Sequence, residues 1–242
     1  LASGVAILTQ SSNIAINLTM QARALPLGMI VTCGNMAQTS QAALAHHLLD
    51  DPRVTALGLH IEGFGNLREW EALAQKARAK NVPLIALKSG RSEQARAATV
   101  SHTASLAGGD AGAGAFLARL GIARIDSLPA FLEALKLAHM FGAMPHGAIG
   151  SISCSGGEAS LAADLAEGTQ VTFPPLTSAQ RNGLSDALGP MVALANPLDY
   201  HTYIWRDTAA MTRAWAAMAA DHLAVVMLVL DSPRSDLCDP AD

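Results

Sequence analysis

The chain has 242 residues, of which 50% are hydrophobic and 15% are charged, and its formal net charge is −4 at pH 7. This length fits one large domain or two of about 100–150 residues, and the apolar content excludes a disordered chain. The acidic balance and an aromatic content of 4% argue against a nucleic-acid-binding surface. The longest apolar run, residues 223–230, is far shorter than the roughly 20 residues that span a bilayer, so no membrane segment is expected.

The three cysteines are scattered along the chain at positions 33, 154 and 238. Their odd number and wide spacing fit neither a disulfide framework nor a metal site, so we expect no bound metal. No leader sequence is recognisable, although Leu1 is not an initiator residue. A reducing cytoplasm is the expected location.

Short apolar runs alternate with longer amphipathic segments through the first part of the chain. The runs predict strands at residues 4–8, 29–33, 57–61, 84–87 and 122–125. The segments that follow them predict helices near residues 13–24, 39–49, 67–79, 111–120 and 128–140. Apolar strands that each precede a helix are typical of a parallel sheet covered on both faces.

The pattern of alternating strands and helices is interrupted at residues 142–147 and begins again at residue 148. We expect strands at 148–153 and 223–230, helices at 158–167, 178–187 and 207–219, and a turn at 196–200. The sequence thus predicts a first α/β domain over residues 1–141, a linker over 142–147 and a second α/β domain over 148–242. Both would be doubly wound parallel-sheet domains, the second incomplete.

Both predicted domains open with an apolar strand, a serine-containing turn and a helix, which is a weak internal repeat. The turns are Ser11-Ser12-Asn13 and Ser155-Gly156-Gly157. A helix N-terminus attracts anions through its unpaired N–H groups and its dipole. Serine is also a common N-cap, so simple capping is the alternative interpretation of each turn. Two such turns favour an anion held between them.

His102 lies among small hydroxyl residues and just ahead of a glycine pair. Neutral imidazole is a good nucleophile toward phosphoryl groups when a partner fixes its second nitrogen. Glu62 follows a predicted strand, at the edge where parallel sheets place their sites, and is a candidate for that partner. A solvated loop carboxylate is the alternative. Lys88-Ser89-Gly90-Arg91-Ser92 also follows a buried strand and either holds an anion or caps the sheet.

Short motifs occur in a fixed order along essentially the whole chain. They are Thr-Gln-Ser-Ser at 9–12, Thr-Cys-Gly-Asn at 32–35, Asp-Pro at 51–52, Ile-Glu-Gly at 61–63, Lys-Ser-Gly-Arg-Ser at 88–92, Ser-His-Thr at 101–103, Ser-Gly-Gly at 155–157 and Asn-Pro-Leu-Asp at 196–199. In order and spacing this series resembles the NDP-forming acyl-CoA synthetases, relatives of succinyl-CoA synthetase. Three residues depart from the family pattern: Ser12 and Ala104 replace glycines, and Gln38 stands where an acidic residue is common.

The resemblance implies flavodoxin-like domains and a reaction that joins an acid, CoA and NTP into an acyl-CoA, NDP and phosphate. It implies that His102 carries the phosphoryl group and that Glu62 orients it. Ser11, Ser12 and the turn at Ser155, Gly156 and Gly157 would then hold the phosphate. The retained histidine and glutamate favour a working carrier.

The resemblance also implies partner domains. A CoA-binding domain is expected before Leu1 and an ATP-grasp domain after Asp242, in the same polypeptide or in a partner subunit. ATP or ADP with Mg²⁺, and CoA, would bind in the complete enzyme and not to this chain alone. The chain is thus expected to be a fragment without synthetase activity by itself, and a homo-oligomer is compatible with the sequence.

Two alternatives remain open at this stage. The turn at residues 153–157 is close to the nucleophile elbow of an α/β-type serine hydrolase, with Ser155 as nucleophile and Asp199 and His201 or His222 downstream. That interpretation leaves His102 without a role. A non-catalytic regulatory module of the same fold is the other alternative, because fold alone does not establish activity.

Overall fold

The structure, a computed structural model, describes residues 2–95 and 109–231. The chain divides into two compact units, Leu1–Ala143 and Met144–Asp242. Each unit is an α/β structure built on its own parallel sheet.

The described part of the first unit, residues 2–95 and 109–143, contains a five-stranded, fully parallel sheet. Its strands are β1 (Gly4–Thr9), β2 (Leu27–Thr32), β3 (Val54–Ile61), β4 (Leu84–Lys88) and β5 (Ala123–Ile125). Its described helices are α1 (Ser12–Thr19), α2 (Gln41–Leu48), α3 (Leu67–Lys80), α4 (Asp110–Leu120) and α5 (Leu128–Phe141).

Side-chain alternation along the strands gives the first unit two hydrophobic cores, one on each face of the sheet. Along β1, Ala6 and Leu8 pack with α2, α3 and α4, whereas Val5 and Ile7 pack with α1 and α5. β1 is buried along its whole length, as expected for a central strand covered on both sides.

The strand order of the first unit is β2-β1-β3-β4-β5, which is the flavodoxin-like order. The chain runs from β1 to β2 on one side of the sheet and from β3 to β4 on the other side. Because these two connections diverge, a crevice is expected between the carboxyl ends of β1 and β3. In open α/β sheets this is where ligands bind.

In its described residues, up to 231, the second unit has a three-stranded parallel sheet in the order β7-β6-β8. The strands are β6 (Ile149–Ser153), β7 (Leu198–Asp199) and β8 (Val225–Leu228), and the α-helices are α6 (Gly156–Ala166), α7 (Ser178–Leu188) and α8 (Thr208–Met218). The first strand lies in the centre, as β1 does between β2 and β3. The hydrophobic core of the second unit packs Ile152 and Leu198 of the sheet against α7 and α8.

Two sequence expectations need correction. Residues 196–200, expected to form a turn, include strand β7, because the Asn196 amide ties this segment to β6: it accepts from the Ser151 N–H at 3.1 Å and donates to the Ile149 carbonyl at 2.9 Å. The helix expected over 13–24 ends at Thr19, and Ala24 has a left-handed backbone with φ of 55°. The last helical bond runs from the Met20 N–H to the Ile16 carbonyl, and the left-handed Ala24 could not belong to a right-handed helix in any case.

Candidate functional site

The polar residues singled out in the first unit collect at the carboxyl edge of its sheet. Gln10 follows β1, Glu62 follows β3, and Ser89 follows β4. This edge includes the predicted crevice between β1 and β3. The structure therefore places Glu62 at the expected ligand-binding end of the sheet.

Gln10 bridges the ends of β1 and β3 with a buried side-chain amide. Its Oε1 accepts from the N–H groups of Glu62 at 2.8 Å and Gly63 at 2.9 Å. Its Nε2 donates to the Gly63 carbonyl at 2.8 Å and to Oε1 of Gln41 at 2.9 Å. Gln41 in turn donates to two main-chain carbonyls of the sheet, those of Leu8 and His60. These bonds fix the backbone at Glu62.

His60 lies on the opposite face of the same sheet edge and is only 3% exposed. Its Nδ1 lies 3.0 Å from Oγ1 of Thr9, and its Nε2 lies 2.7 Å from Oγ of Ser89. Burial lowers the pKa of His60 to about 4, and the positive charge of Lys88 acts in the same direction. The ring is therefore neutral at physiological pH, donating at one nitrogen and accepting at the other.

Lys88 ends β4 with a buried ammonium, and the residue is 5% exposed. Its Nζ donates to the main-chain carbonyl of Glu62 at 2.9 Å and to that of Ser89. Burial is the main cause that lowers the pKa of Lys88, followed by the nearby charge of Arg124, while Asp110 and Glu62 raise it. The charge of Arg124 is itself paired with Asp110 at 2.6 Å.

The first serine turn caps α1. The hydroxyl of Ser11 accepts from the N–H of Ile14 at 3.4 Å, and Ser12 is the exposed first residue of the helix. The Oγ1 of Thr9 accepts from the Ser11 N–H at 3.0 Å. The N-capping that the sequence offered as the alternative interpretation is therefore observed. The helix N-terminus itself stays accessible to solvent at Ser12.

The second serine turn caps α6. The hydroxyl of Ser155 accepts from the N–H of Gly157 at 3.2 Å. Asp199 lies beside this turn, since a Cβ built on Gly156 would be 3.3 Å from its Oδ2. A carboxylate next to a helix N-terminus already satisfies part of the attraction of that terminus for negative charge.

The arrangement around Ser155 does not form a hydrolase triad among the described residues. Ser155 is engaged as an N-cap, and the structure gives it no hydrogen bond to a histidine within the described segments. His201 instead pairs with Asp199, which accepts the His201 main-chain N–H at 2.8 Å. A serine nucleophile needs a base within hydrogen-bond reach.

His102 lies outside the described residues, and so does Ala104. Of the residues predicted for this site, the structure places Glu62 at the carboxyl edge of the first sheet, together with Gln10 and Lys88. His102, the expected phosphoryl carrier, belongs to the segment between Ala95 and Gly109. Glu62, Ser11 and Ser12 belong to the first unit, whereas Ser155, Gly156 and Gly157 belong to the second.

Sequence reasoning missed the structural importance of Gln10, Gln41 and His60. For Gln10 and His60 a usable signal was present in the strands, because a polar residue at or beside a buried strand must find hydrogen-bond partners. For Gln41, the first residue of helix α2, strand alternation gives no such signal. Among the described residues, no group of three or more His, Cys, Asp or Glu side chains is placed to hold a metal ion. Within the same residues, no helix combines the length and apolarity needed to cross a bilayer.

Comparison with known proteins gives a family match over residues 2–138, to the succinyl-CoA ligase-like flavodoxin domain. The chain is 34% identical over 201 residues to an ADP-forming acetate–CoA ligase of Methanocaldococcus jannaschii, covering 81% of this chain and 28% of the relative. It is 29% identical to the alpha subunit of ADP-forming acetate–CoA ligase II of Pyrococcus furiosus, covering 86% of this chain and 42% of the relative.

A solved structure has the same fold. The apo form of acetyl-coenzyme A synthetase 1 from Ca. Korarchaeum cryptofilum superposes with a TM-score of 0.80 at 21% identity, covering 94% of this chain and 50% of that one. The chain thus spans half or less of the length of these relatives.

Proposed function

The chain belongs to the succinyl-CoA ligase-like flavodoxin-domain family, and we propose that it forms the phosphohistidine-bearing part of an NDP-forming acyl-CoA synthetase. The observation that carries this proposal is the position of Glu62. It lies at the carboxyl end of β3, where the strand order of a flavodoxin-like sheet predicts a crevice, and its main chain is held by Gln10.

In the proposed reaction, inorganic phosphate attacks the carbonyl carbon of an acyl-CoA, and the CoA thiolate leaves. A nitrogen of His102 then attacks the phosphorus of the acyl phosphate, and the carboxylate leaves as the free acid. The phosphohistidine finally transfers its phosphoryl group to NDP, which gives NTP and restores the neutral imidazole. Every step is reversible, so the same residues serve acyl-CoA synthesis.

Glu62 acts in this scheme by accepting a hydrogen bond from the second imidazole nitrogen of His102. A carboxylate at that nitrogen fixes the tautomer and stabilises positive charge on the ring while the new N–P bond forms. The two N–H groups bound by Gln10 restrict the backbone that carries Glu62. A fixed backbone reduces the entropy lost when the carboxylate meets its partner.

The helix N-termini at Ser11 and Ser12 and at Ser155, Gly156 and Gly157 are proposed phosphate sites. An N-terminus can hold an anion with main-chain N–H groups and its dipole, which suits the charge of a transferring phosphoryl group. In the second turn Asp199 opposes this attraction, so we assign the stronger phosphate contact to the first turn.

The same proposal covers the domains and partners. Residues 1–141 and 148–242 would be the two flavodoxin-like domains, joined by a linker at 142–147. ATP or ADP with Mg²⁺, and CoA, would be bound by ATP-grasp and CoA-binding domains in the same polypeptide or a partner subunit. The enzyme would work in the cytoplasm, and this chain alone would not catalyse the full reaction.

The proposal is tested by phosphorylating the complete enzyme, meaning this chain together with those domains, with ATP labelled at the γ-phosphate. We expect a label that is stable in base, labile in acid and lost in His102→Asn. His47→Asn, which changes an exposed histidine of α2, is the matched control and should keep the label. Wild-type protein that binds ATP without becoming labelled would refute the carrier role and favour a regulatory module.

A further inference from the structure

Lys88 is a buried cation whose role the proposed function does not yet explain. It is the last residue of β4, and the residue is 5% exposed. Strand alternation puts it on the same face as Ala86, which packs in the core formed with α2, α3 and α4. Burying a charge costs free energy unless the charge is paired or hydrogen-bonded, so the presence of a lysine at this buried position has to be explained.

The hydrogen-bond partners of Lys88 hold it at the end of β3. Nζ donates to the main-chain carbonyl of Glu62 at 2.9 Å and also to the carbonyl of Ser89. Both acceptors are neutral, and among the described residues no carboxylate oxygen lies within 4.0 Å of this nitrogen. The nearby Asp110 carboxylate is already paired with Arg124 at 2.6 Å. Within the described residues, the positive charge is therefore solvated by dipoles and not neutralised by an ion pair.

A purely structural tie between β3 and β4 does not require a charge here. The Ser89 N–H already donates to the Ile61 carbonyl at 2.9 Å, which continues the pairing of the two strands up to Glu62. A neutral donor would complete the bond to the Glu62 carbonyl. The ammonium adds positive charge at the edge where the phosphoryl group is proposed to be transferred.

We propose that Lys88 is a positioning residue for phosphoryl transfer, which fixes the Glu62 main chain and provides a buried positive charge that favours the phosphorylated state. This inference rests on the proposed function. A phosphoryl group on histidine adds about two negative charges at neutral pH, and a preorganised cation stabilises such charge more strongly in a buried site than in water. The lowered pKa of Lys88, caused first by burial and then by the charge of Arg124, is consistent with a cation that the nearby Asp110 and Glu62 carboxylates compensate only in part.

The test compares Lys88→Met and Lys88→Arg in the complete enzyme, using the rate and the equilibrium extent of labelling from γ-labelled ATP. Lys88→Met keeps the length of the side chain and removes its charge, so we expect the labelled fraction at a fixed ATP/ADP ratio to fall at least tenfold. Lys88→Arg keeps the charge and should stay within about threefold of wild type. Lys80→Met, on the exposed end of α3, is the control and should behave as wild type.

The labelled fraction at equilibrium separates the proposed role from a merely structural one. A structural defect lowers the amount of folded enzyme, measured by circular dichroism and thermal unfolding, and leaves the labelled fraction of the folded enzyme unchanged. Lys88→Met that is folded and labelled to the wild-type extent would overturn the inference. Failure of wild type itself to become labelled would instead remove the proposed function, and this inference with it.

A second pair of variants covers the case in which Lys88→Met does not fold. Lys88→Gln and Lys88→Arg both keep a donor for the Glu62 carbonyl and differ in charge. We expect labelling to persist in Lys88→Arg and to fall in Lys88→Gln. Equal labelling of these two variants would contradict the role of the charge.

Discussion

The Nε2 atom of His60 lies 2.7 Å from the Oγ atom of Ser89, and this bond joins the end of β3 to the residue that follows β4. The other ring nitrogen bonds to Thr9, after which the chain enters the first serine turn. A neutral imidazole can satisfy both hydroxyls by donating once and accepting once, whereas an imidazolium only donates. Burial and the charge of Lys88 keep the ring neutral, so this edge is joined by one hydrogen bond that the ring donates and one that it accepts.

The stability of the protein should accordingly depend on pH through His60. The pKa is 6.5 in the unfolded reference and about 4 in the folded state. Between these values the unfolded chain binds the proton and the folded chain does not, so stability falls as pH is lowered from 6.5 towards 4. The loss amounts to about 3 kcal/mol.

This dependence is measured by chemical denaturation of wild type and His60→Gln at several pH values. We expect wild type to be the more stable protein at pH 7 and the difference to shrink as pH falls, since glutamine does not titrate. A difference that stays constant from pH 7 to pH 4 would contradict a buried neutral histidine. His47→Gln, at an exposed position of α2, provides the control for a histidine outside this network.

Gln10→Leu should destabilise the protein strongly. The substitution retains side-chain volume but leaves the N–H groups of Glu62 and Gly63 without their acceptor. Each unsatisfied buried donor costs about 1–3 kcal/mol, so the two together predict a loss of about 2–6 kcal/mol in urea denaturation. Gln21→Leu, at an exposed position with one local bond to Asn17, should change stability by less than about 0.5 kcal/mol.

Gly58→Val should also destabilise the protein, through overpacking. A Cβ at Gly58 would lie 2.8 Å from Phe131 Cζ and 2.8 Å from Leu135 Cδ1, both on fully buried side chains of α5. Forced rearrangement of such a core costs about 1–3 kcal/mol. Gly112→Ala in α4 meets no atom within 4 Å and should instead stabilise by up to about 1 kcal/mol. Equal thermal midpoints for the two variants would be inconsistent with this packing.

Glu62→Gln should slow phosphorylation of the complete enzyme without abolishing it. The amide keeps the main-chain bonds to Gln10 and Lys88 but loses the negative charge that orients the proposed carrier. We expect the labelling rate to fall about 10²–10⁴-fold while the label stays on His102, measured by rapid quench. Glu133→Gln, an exposed carboxylate of α5, is the control. Wild-type rates in Glu62→Gln would remove Glu62 from the mechanism.

The family and the α/β fold were predictable from the sequence, and both predictions are confirmed. The apolar runs are long enough to predict the strands because the sheet of the first unit is covered on both faces. The short strand β7 was missed, because two residues carry no periodicity and the Asn196 amide just before it bonds to β6, 45 or more positions away in sequence. Chain-local patterns do not contain such long-range bonds.

The candidate site was predictable only in part. The position of Glu62 followed from the rule that loops after parallel strands form the site. The partners of Gln10 and His60 could not be read from the sequence, because each side chain bonds to residues at least 26 positions away. The phosphohistidine role of His102 and the phosphate contacts stay predictions.

Thr9 and Gln10 are neighbours in the chain, yet their side chains leave the sheet edge on opposite faces. Thr9 joins His60 and Ser89 on one face, and Gln10 joins Gln41 and the backbone at Glu62 on the other. Over evolutionary time each network should change as a block, since replacing one member leaves its partners unsatisfied. Correlated substitution is thus expected between positions 9, 60 and 89 and between 10 and 41. Little covariation is expected between adjacent positions 9 and 10.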